Sequence, residues 1–165
     1  MNELVVYKSE TGFTEKYAKW IAAELGCEAK PLKKVRAEEL AGYDCIIYGA
    51  GILGNMIGGL NKIKKMYQGN LVVFATGSSP YSEEVIKAIK EVNSLGDMPF
   101  FYMQSGFAFE RLGFVKKMML RMAKKMVAKK ENKTEQDLFM EKALEHSFDS
   151  SDRSFTKPLI QYVRA

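Results

Sequence analysis

Short apolar runs alternate along the chain with longer stretches in which apolar residues recur every three or four positions. The runs predict five strands, at about residues 3–8, 28–33, 45–49, 70–76 and 99–103. The helical spacing predicts helices at about residues 14–25, 60–67 and 82–93, with a short turn or helix at 38–40. Strands that alternate with helices predict a doubly wound α/β domain with a five-stranded parallel sheet and right-handed crossovers.

The pattern changes after the fifth strand. Residues 106–132 are basic and rich in methionine, and Thr134-Glu135-Gln136-Asp137 has the pattern of a capping box that opens a further helix through about Glu145. A terminal helix is predicted at 156–163. We therefore expect a single domain over the whole chain, with a helical insertion at 107–148 between the fifth strand and the last helix.

The charge is distributed unevenly along the 165 residues, whose net charge is +5. The segment from Arg111 to Lys133 contains nine Lys or Arg and one acid, Glu131, which makes a net charge of +8. The rest of the chain must therefore carry −3 to reach the total of +5. A mildly acidic body with one strongly basic segment predicts an anionic partner for that segment.

The composition, 47% hydrophobic and 27% charged, is typical of a globular domain. No apolar stretch approaches the roughly 20 residues of a transmembrane helix. Met1-Asn2-Glu3 leads directly into a predicted strand, without the pattern of a signal peptide. We expect a cytoplasmic protein that makes peripheral contact with the inner membrane surface through Arg111–Lys133.

Residues for acid–base or metal chemistry are few. Cys27 and Cys45 are isolated in the sequence, and we expect them to be small buried side chains in a reducing compartment. His146 is the single histidine, which excludes a histidine-rich metal site and a histidine-containing catalytic triad. We therefore predict no dedicated catalytic side chain and no metal ligand.

The segment Ser9-Glu10-Thr11-Gly12-Phe13-Thr14 connects the first strand to the first helix. A helix N-terminus presents free N–H groups and the positive end of the helix dipole, so this loop predicts an anion site, best suited to phosphate. Its hydroxyls can donate further hydrogen bonds, and Glu10 must turn its carboxylate to solvent. No lysine stands where a Walker loop needs one, so the phosphate would be held rather than transferred.

Two later loops also follow strands: the glycine-rich stretch 49–59 and Gly77-Ser78-Ser79-Pro80-Tyr81. Because ligands of such sheets bind at the carboxyl ends of the strands, we expect all three loops to gather at one edge. The alternatives are that the glycines serve close helix–sheet packing and that Tyr81 is an ordinary loop residue.

The segment Ser9–Thr14, called the phosphate-type loop below, resembles the FMN phosphate loop of the flavodoxin family. Together with the alternating strands and the two later loops, the resemblance extends over about residues 1–105 and 155–165. The resemblance implies the strand order 2-1-3-4-5, with FMN across the ends of strands one, three and four. It implies that the following residues bind the cofactor: Ser9, Glu10, Thr11, Gly12, Phe13, Thr14, Gly51, Ile52, Leu53, Gly54, Asn55, Gly77, Ser78, Ser79, Pro80 and Tyr81.

The chain departs from flavodoxins in its basic charge, and Tyr81 is its clear aromatic candidate beside the flavin. The basic insertion resembles the flavodoxin-like branch that includes menaquinone-dependent protoporphyrinogen IX dehydrogenases. This resemblance implies an FMN-dependent oxidoreductase that oxidises protoporphyrinogen IX or a related substrate with a quinone acceptor. The alternative is a flavodoxin-type one-electron carrier that docks on redox partner proteins.

The basic segment has three interpretations. Its apolar residues recur at helical spacing and define one face, formed by Val115, Met118, Met119, Met122 and Met126. This face can pack on the body of the domain, or it can dock with its flanking lysines on an anionic membrane. Nucleic-acid binding is disfavoured, because the segment lacks interleaved aromatic residues and any recognised DNA-binding motif.

Overall fold

The computed structural model of the protein describes residues 1–144 and 146–165. The strands are β1 (Glu3–Lys8), β2 (Glu28–Pro31), β3 (Cys45–Leu53), β4 (Met56–Ile57), β5 (Asn70–Gly77), β6 (Phe100–Gln104), β7 (Gly106–Phe107) and β8 (Phe148–Asp149). The helices are α1 (Phe13–Leu25), α2 (Ala37–Leu40), α3 (Leu60–Met66), α4 (Glu83–Val92), α5 (Phe114–Ala128), α6 (Glu135–Ala143) and α7 (Lys157–Arg164).

The central sheet has the order β2-β1-β3-β5-β6, and each neighbouring pair in it is parallel. These strands are the five predicted from the sequence, in the predicted order, so the flavodoxin-like α/β fold is confirmed. The carboxyl ends of all five strands consequently lie at the same edge of the sheet.

Both faces of the sheet are buried by helices. In β1, Leu4 and Val6 belong to the apolar cluster that includes residues of α3 and α4. Val5 and Tyr7, which alternate with them, belong to the cluster that includes residues of α1 and α7. This two-sided burial explains why the central strands read as continuous apolar runs.

Two helix starts follow their local sequence signals. The Ser82 hydroxyl accepts a hydrogen bond from the Val85 N–H at 3.1 Å and caps α4. Thr134 and Asp137 form the predicted capping box of α6. This helix ends at Ala143, whereas Glu145, the predicted end, lies outside the described residues.

The prediction that strand three ends at residue 49 and that 49–59 is a loop is wrong. β3 continues to Leu53 and pairs antiparallel with β4. Gly54 and Asn55 turn the chain with φ of 56° and 64°. Two consecutive residues with positive φ form the tight turn that suits a hairpin, and Asn and Gly adopt it most readily. The glycine-rich stretch therefore begins with a rigid hairpin.

Two other boundaries also differ. β2 ends at Pro31 rather than near residue 33, because the chain turns in a 3₁₀ helix that buries Leu32. α7 begins at Lys157, and the hydroxyl of Thr156 donates to the Arg153 carbonyl at 2.7 Å instead of capping the helix.

The segment between β6 and α7 contains α5, α6 and the antiparallel pair β7–β8. Ion pairs hold the connection between its two helices on α6: Lys130 to Asp137 at 3.1 Å and Lys133 to Glu141 at 2.9 Å. The interpretation that the methionine face of α5 packs on the body is wrong, since its five side chains are 46–70% exposed. The opposite side of the helix faces the protein instead.

Candidate functional site

A cavity of about 730 Å³ opens at the carboxyl ends of β1, β3, β5 and β6. Residues of all three predicted loops line it: Glu10, Thr11, Phe13, Thr14, Gly51, Ile52, Leu53, Gly54, Asn55, Gly77, Ser78 and Ser79. Ser9, Gly12, Pro80 and Tyr81 lie outside this lining. The expectation that the loops gather at one edge is therefore confirmed.

The first loop presents backbone N–H groups at the start of α1. Gly12 stands at the N-cap position of α1 with φ of 96°, and its N–H donates to the Ser9 hydroxyl at 3.2 Å. Ser9 thus shapes the loop from outside the cavity. The first helical turn leaves the N–H groups of Phe13 and Thr14 without intrahelical acceptors, beside the positive end of the helix dipole.

Thr14 has a buried partner that sequence reasoning missed. Its hydroxyl lies 2.7 Å from the hydroxyl of Thr76, and either oxygen can be the donor. Thr76 comes near the carboxyl end of β5, directly after an apolar run, and a polar residue at that position is a signal that could have identified it. A Cβ on Gly51 would lie 3.9 Å from both hydroxyls, so the hairpin backbone passes directly beside this pair.

The β3–β4 hairpin is held from beneath by two buried side chains. The Tyr48 hydroxyl donates to the Gly58 carbonyl at 2.6 Å. The Asn93 side chain accepts from the Ile57 N–H at 2.9 Å and donates to the Asn55 carbonyl at 2.7 Å. The hairpin therefore presents Gly51–Asn55 to the cavity in a fixed position.

Close packing explains a different glycine of the same stretch. A Cβ on Gly49 would lie 1.9 Å from the ring of Phe74 on the neighbouring strand β5. Gly49 therefore serves packing within the sheet, whereas Gly51 and Gly54 line the cavity.

The third loop is supported by β6. The Tyr102 hydroxyl donates to the Ser79 carbonyl at 2.6 Å, and the Ser105 N–H donates to the Gly77 carbonyl at 2.8 Å. Burial raises the pKa of Tyr102, so its hydroxyl keeps the proton that it donates. Tyr81 is 66% exposed beyond the supported part of the loop, and its stacking on a flavin stays a prediction.

The insertion brings two cations to the phosphate-type loop. Lys116 of α5 forms an ion pair with Glu10 at 2.6 Å, and the Arg111 guanidinium donates to the Thr11 carbonyl at 3.1 Å. The Glu10 carboxylate is exposed, as expected, and it is also paired with Lys116. The contacts join positions about a hundred residues apart, so the only sequence signal for them was the excess charge of the basic segment.

The insertion also forms an apolar wall opposite the loops. It contributes Leu112, Leu120, Phe139, Met140, Ala143 and Leu144 to the lining. Asp137 is an acid in this wall. The hydrogen bond from the Thr134 N–H and the ammonium of Lys130 lower its pKa, so it remains ionised. The six apolar side chains of the wall nevertheless offer contact surface for an apolar ligand.

The donor set fits a phosphate-bearing cofactor. The N–H groups at the start of α1, the Thr11 side chain and the nearby Arg111 guanidinium favour a dianion, and Lys116 offsets the negative charge of Glu10. Within residues 1–144 and 146–165, no group of three or more His, Cys, Asp or Glu side chains could hold a metal ion. In the same residues, no helix is long and apolar enough to cross a membrane.

Comparisons with known proteins agree with this architecture. Residues 4–135 match the family model described as flavodoxin domain. No curated protein matches the sequence significantly.

Several solved structures are similar to this chain. A flavodoxin from the domain Archaea is 14% identical, with full coverage of both chains and a TM-score of 0.47. Oxidised Flavodoxin 2 from Bacillus cereus is 19% identical over 62% of this chain and 84% of its own, with a TM-score of 0.38. A WrbA-like flavodoxin from Agrobacterium tumefaciens is 17% identical over 63% of this chain and 83% of its own, with a TM-score of 0.44.

The family model covers most of the chain, including β1 and the phosphate-type loop, the hairpin and the third loop. The sheet order is the one that the family resemblance implied. This chain therefore belongs to the flavodoxin domain family.

Proposed function

We propose that the protein binds FMN non-covalently and uses it to oxidise an apolar organic substrate that carries carboxylates. The observation that supports this proposal best is the position of the insertion. Helices α5 and α6 line the same cavity as the three loops, so the cofactor edge would face a partly open compartment with an apolar wall. A protein that only exchanges electrons with other proteins has no need for such a compartment.

In this proposal, the start of α1 and Thr11 hold the phosphate, with Arg111 adding positive charge. The segments Gly51–Asn55 and Gly77–Ser79 flank the ring system and offer backbone groups to its polar edge. When bound, FMN would take two electrons and two protons from the substrate in each cycle and pass them to a quinone, which becomes a quinol.

Phosphate recognition can be tested by comparing FMN with riboflavin. Thr11→Ala should weaken FMN binding about 10- to 150-fold, because a charge-assisted hydrogen bond is worth about 1.5–3 kcal/mol, and should leave riboflavin binding nearly unchanged. Ser82→Ala removes a helix-capping hydroxyl outside the cavity and is the control. Equal losses for both flavins in Thr11→Ala would contradict the assignment of the phosphate site.

The substrate class follows from the lining of the compartment. Phe139 and Met140 offer apolar surface, and Lys8 offers positive charge, whereas the charge of Lys116 is paired with Glu10. A reduced tetrapyrrole with carboxylate side chains, such as protoporphyrinogen IX, complements both features: its rings are apolar and its carboxylates are negatively charged. It is also the substrate class implied by the resemblance to protoporphyrinogen dehydrogenases.

Turnover tests this assignment. FMN-loaded protein should oxidise protoporphyrinogen IX with a menaquinone analogue, and Met140→Ala should raise KM several-fold without changing FMN affinity. Leu138→Ala, on the same helix but outside the cavity lining, is the matched control. Absence of turnover with intact FMN binding would remove this substrate and leave the cofactor assignment standing.

A second function, the one-electron carrier, is favoured by the exposed tip of the β3–β4 hairpin. Leu53 and Met56 are 36% and 48% exposed there, and they offer an apolar contact for a redox protein. An anaerobic redox titration discriminates the two functions. Two well-separated one-electron steps would support the carrier, and a single two-electron step would support the oxidoreductase.

A further inference from the structure

We propose that the outer face of α5 docks the protein on a lipid bilayer that contains anionic headgroups. The outer face consists of Phe114, Val115, Met118, Met119, Met122 and Met126. Each of these side chains is at least 46% exposed, and together they form the largest group of exposed apolar residues on any described helix. This surface is separate from the cavity and goes beyond the proposed redox function.

The helix cannot bury this face by rotating. Lys116 and Leu120, on the opposite side, line the cavity, and Val127 is buried. The ion pair between Lys116 and Glu10 fixes the start of the helix on the phosphate-type loop. Because the side of α5 that carries Lys116, Leu120 and Val127 is held against the protein, the outer face remains exposed.

The spacing of the outer face is that of an interfacial helix. Positions 114, 118, 122 and 126 form one row along the helix, and 115 and 119 form an adjacent row. Four of the six residues are methionines, whose flexible thioethers adapt to an irregular apolar environment such as the headgroup–acyl boundary.

The charge around this face indicates which partner it fits. Arg121, Lys125 and Lys129 are exposed; by helical position Lys125 lies within the outer face, beside Phe114 and Met118 in angle, and Lys129 directly follows the C-terminal end of α5. Among the described residues, Lys125 and Lys129 form no ion pair. Apolar side chains bordered by unpaired cations complement an anionic bilayer, which supplies an apolar interior beneath a negative surface.

The same combination fits a nucleic acid poorly. A phosphate backbone would use the lysines, but it offers no apolar surface to cover the six side chains of the outer face, of which four are methionines. Docking through the outer face would place the cavity about one helix diameter, roughly 10–12 Å, from the headgroups.

Vesicle co-sedimentation tests the proposal with the full chain. The probes are vesicles of phosphatidylglycerol mixed with phosphatidylcholine, and vesicles of phosphatidylcholine alone. We expect binding to the anionic vesicles at low salt, release at high salt, and much weaker binding to phosphatidylcholine.

Paired variants assign the binding to this face. Lys125→Glu with Lys129→Glu should weaken binding about 25-fold or more, since each cation near an anionic surface contributes about fivefold. Met118→Ser with Met122→Ser should weaken it about tenfold per side chain. The matched controls, Lys62→Glu with Lys65→Glu on α3 and Val92→Ser with Tyr162→Ser on α4 and α7, change equally exposed positions elsewhere and should bind as the unmodified protein does.

Two results would overturn the proposal. One is absence of binding to anionic vesicles at low salt, and the other is an equal loss in the α5 variants and their controls. Sedimentation velocity adds an independent arm: a dimer that Met118→Ser with Met122→Ser dissociates would show that a second copy covers the outer face. Urea unfolding of every variant separates these outcomes from a loss of folding.

Discussion

The sheet body and the helical insertion use apolar residues in opposite ways. In the body, the largest apolar side chains, such as Phe74 and Ile47, have no exposed surface. In α5 the largest apolar side chains face outward, and mainly lysines, a leucine and small residues face the protein. The body therefore holds the fold, and the insertion is available for recognition, because its apolar surface is not used for stability.

The largest expected effect is on the free energy of unfolding when one large apolar side chain is removed from each region. Phe74→Ala should lower the free energy of unfolding by about 3–5 kcal/mol, because it leaves a cavity in the centre of the sheet. Met122→Ala should change it by no more than about 0.5 kcal/mol, because the side chain is exposed. Urea unfolding measures both, and a loss above 2 kcal/mol in Met122→Ala, on the order of a buried methionine, would show that the outer face is packed.

The next prediction concerns the support that the body gives to the site. Asn93→Ala should lower the free energy of unfolding by about 1–3 kcal/mol, because the Ile57 N–H and the Asn55 carbonyl lose their buried partner. Asn61→Ala, at an exposed position on α3, is the control. Faster amide exchange at residues 52–57 should accompany the loss, and unchanged exchange there would contradict the supporting role.

The ion pair that joins the insertion to the first loop should contribute less to stability than the buried hydrogen bonds that hold the hairpin. A double-mutant cycle with Lys116→Gln and Glu10→Gln should give a coupling free energy of only about 0.2–1 kcal/mol, because both side chains are partly exposed. Raised salt should reduce the coupling further. A coupling above 2 kcal/mol, well beyond the roughly 1 kcal/mol limit of exposed pairs, would mean that the insertion is part of the cooperative core.

The smallest expected effect is a pH dependence of the free energy of unfolding, caused by Asp149 on β8. Partial burial raises the pKa of Asp149, but hydrogen bonds from Lys16 and Ser151 outweigh it and lower the pKa to about 2, from the ordinary 3.8. The contribution of ionised Asp149 to the free energy of unfolding is therefore complete above about pH 4, and it is lost as the pH falls through about 2. Asp149 is half exposed, so the contribution should not exceed about 1 kcal/mol.

Asp149→Asn checks this prediction. Its difference in unfolding free energy from the unmodified protein should be present at neutral pH and should shrink as the pH approaches 2. Asp97→Asn, an exposed carboxylate outside the insertion, should show no such trend. A difference that is constant from neutral to acidic pH would show that the ion pair with Lys16 has no stabilising role.

The sequence by itself determined the features that depend on neighbouring residues. The apolar runs located the strands, the hydroxyl and glycine pattern at 9–14 located a loop that lines the cavity, and Ser82 and Thr134 located two helix starts. These features were predictable because strand periodicity, helix caps and helix N-termini need only a few consecutive residues.

Tertiary structure alone decided the contacts between distant segments. The pairing of Thr14 with Thr76, the support of the hairpin by Asn93 and the ion pair of Lys116 with Glu10 all join positions far apart in the chain. The methionine periodicity of α5 showed that one face is apolar, but periodicity says nothing about what covers that face. Its exposure was decided by the opposite face of the helix, which packs over the cavity and leaves the methionines outside.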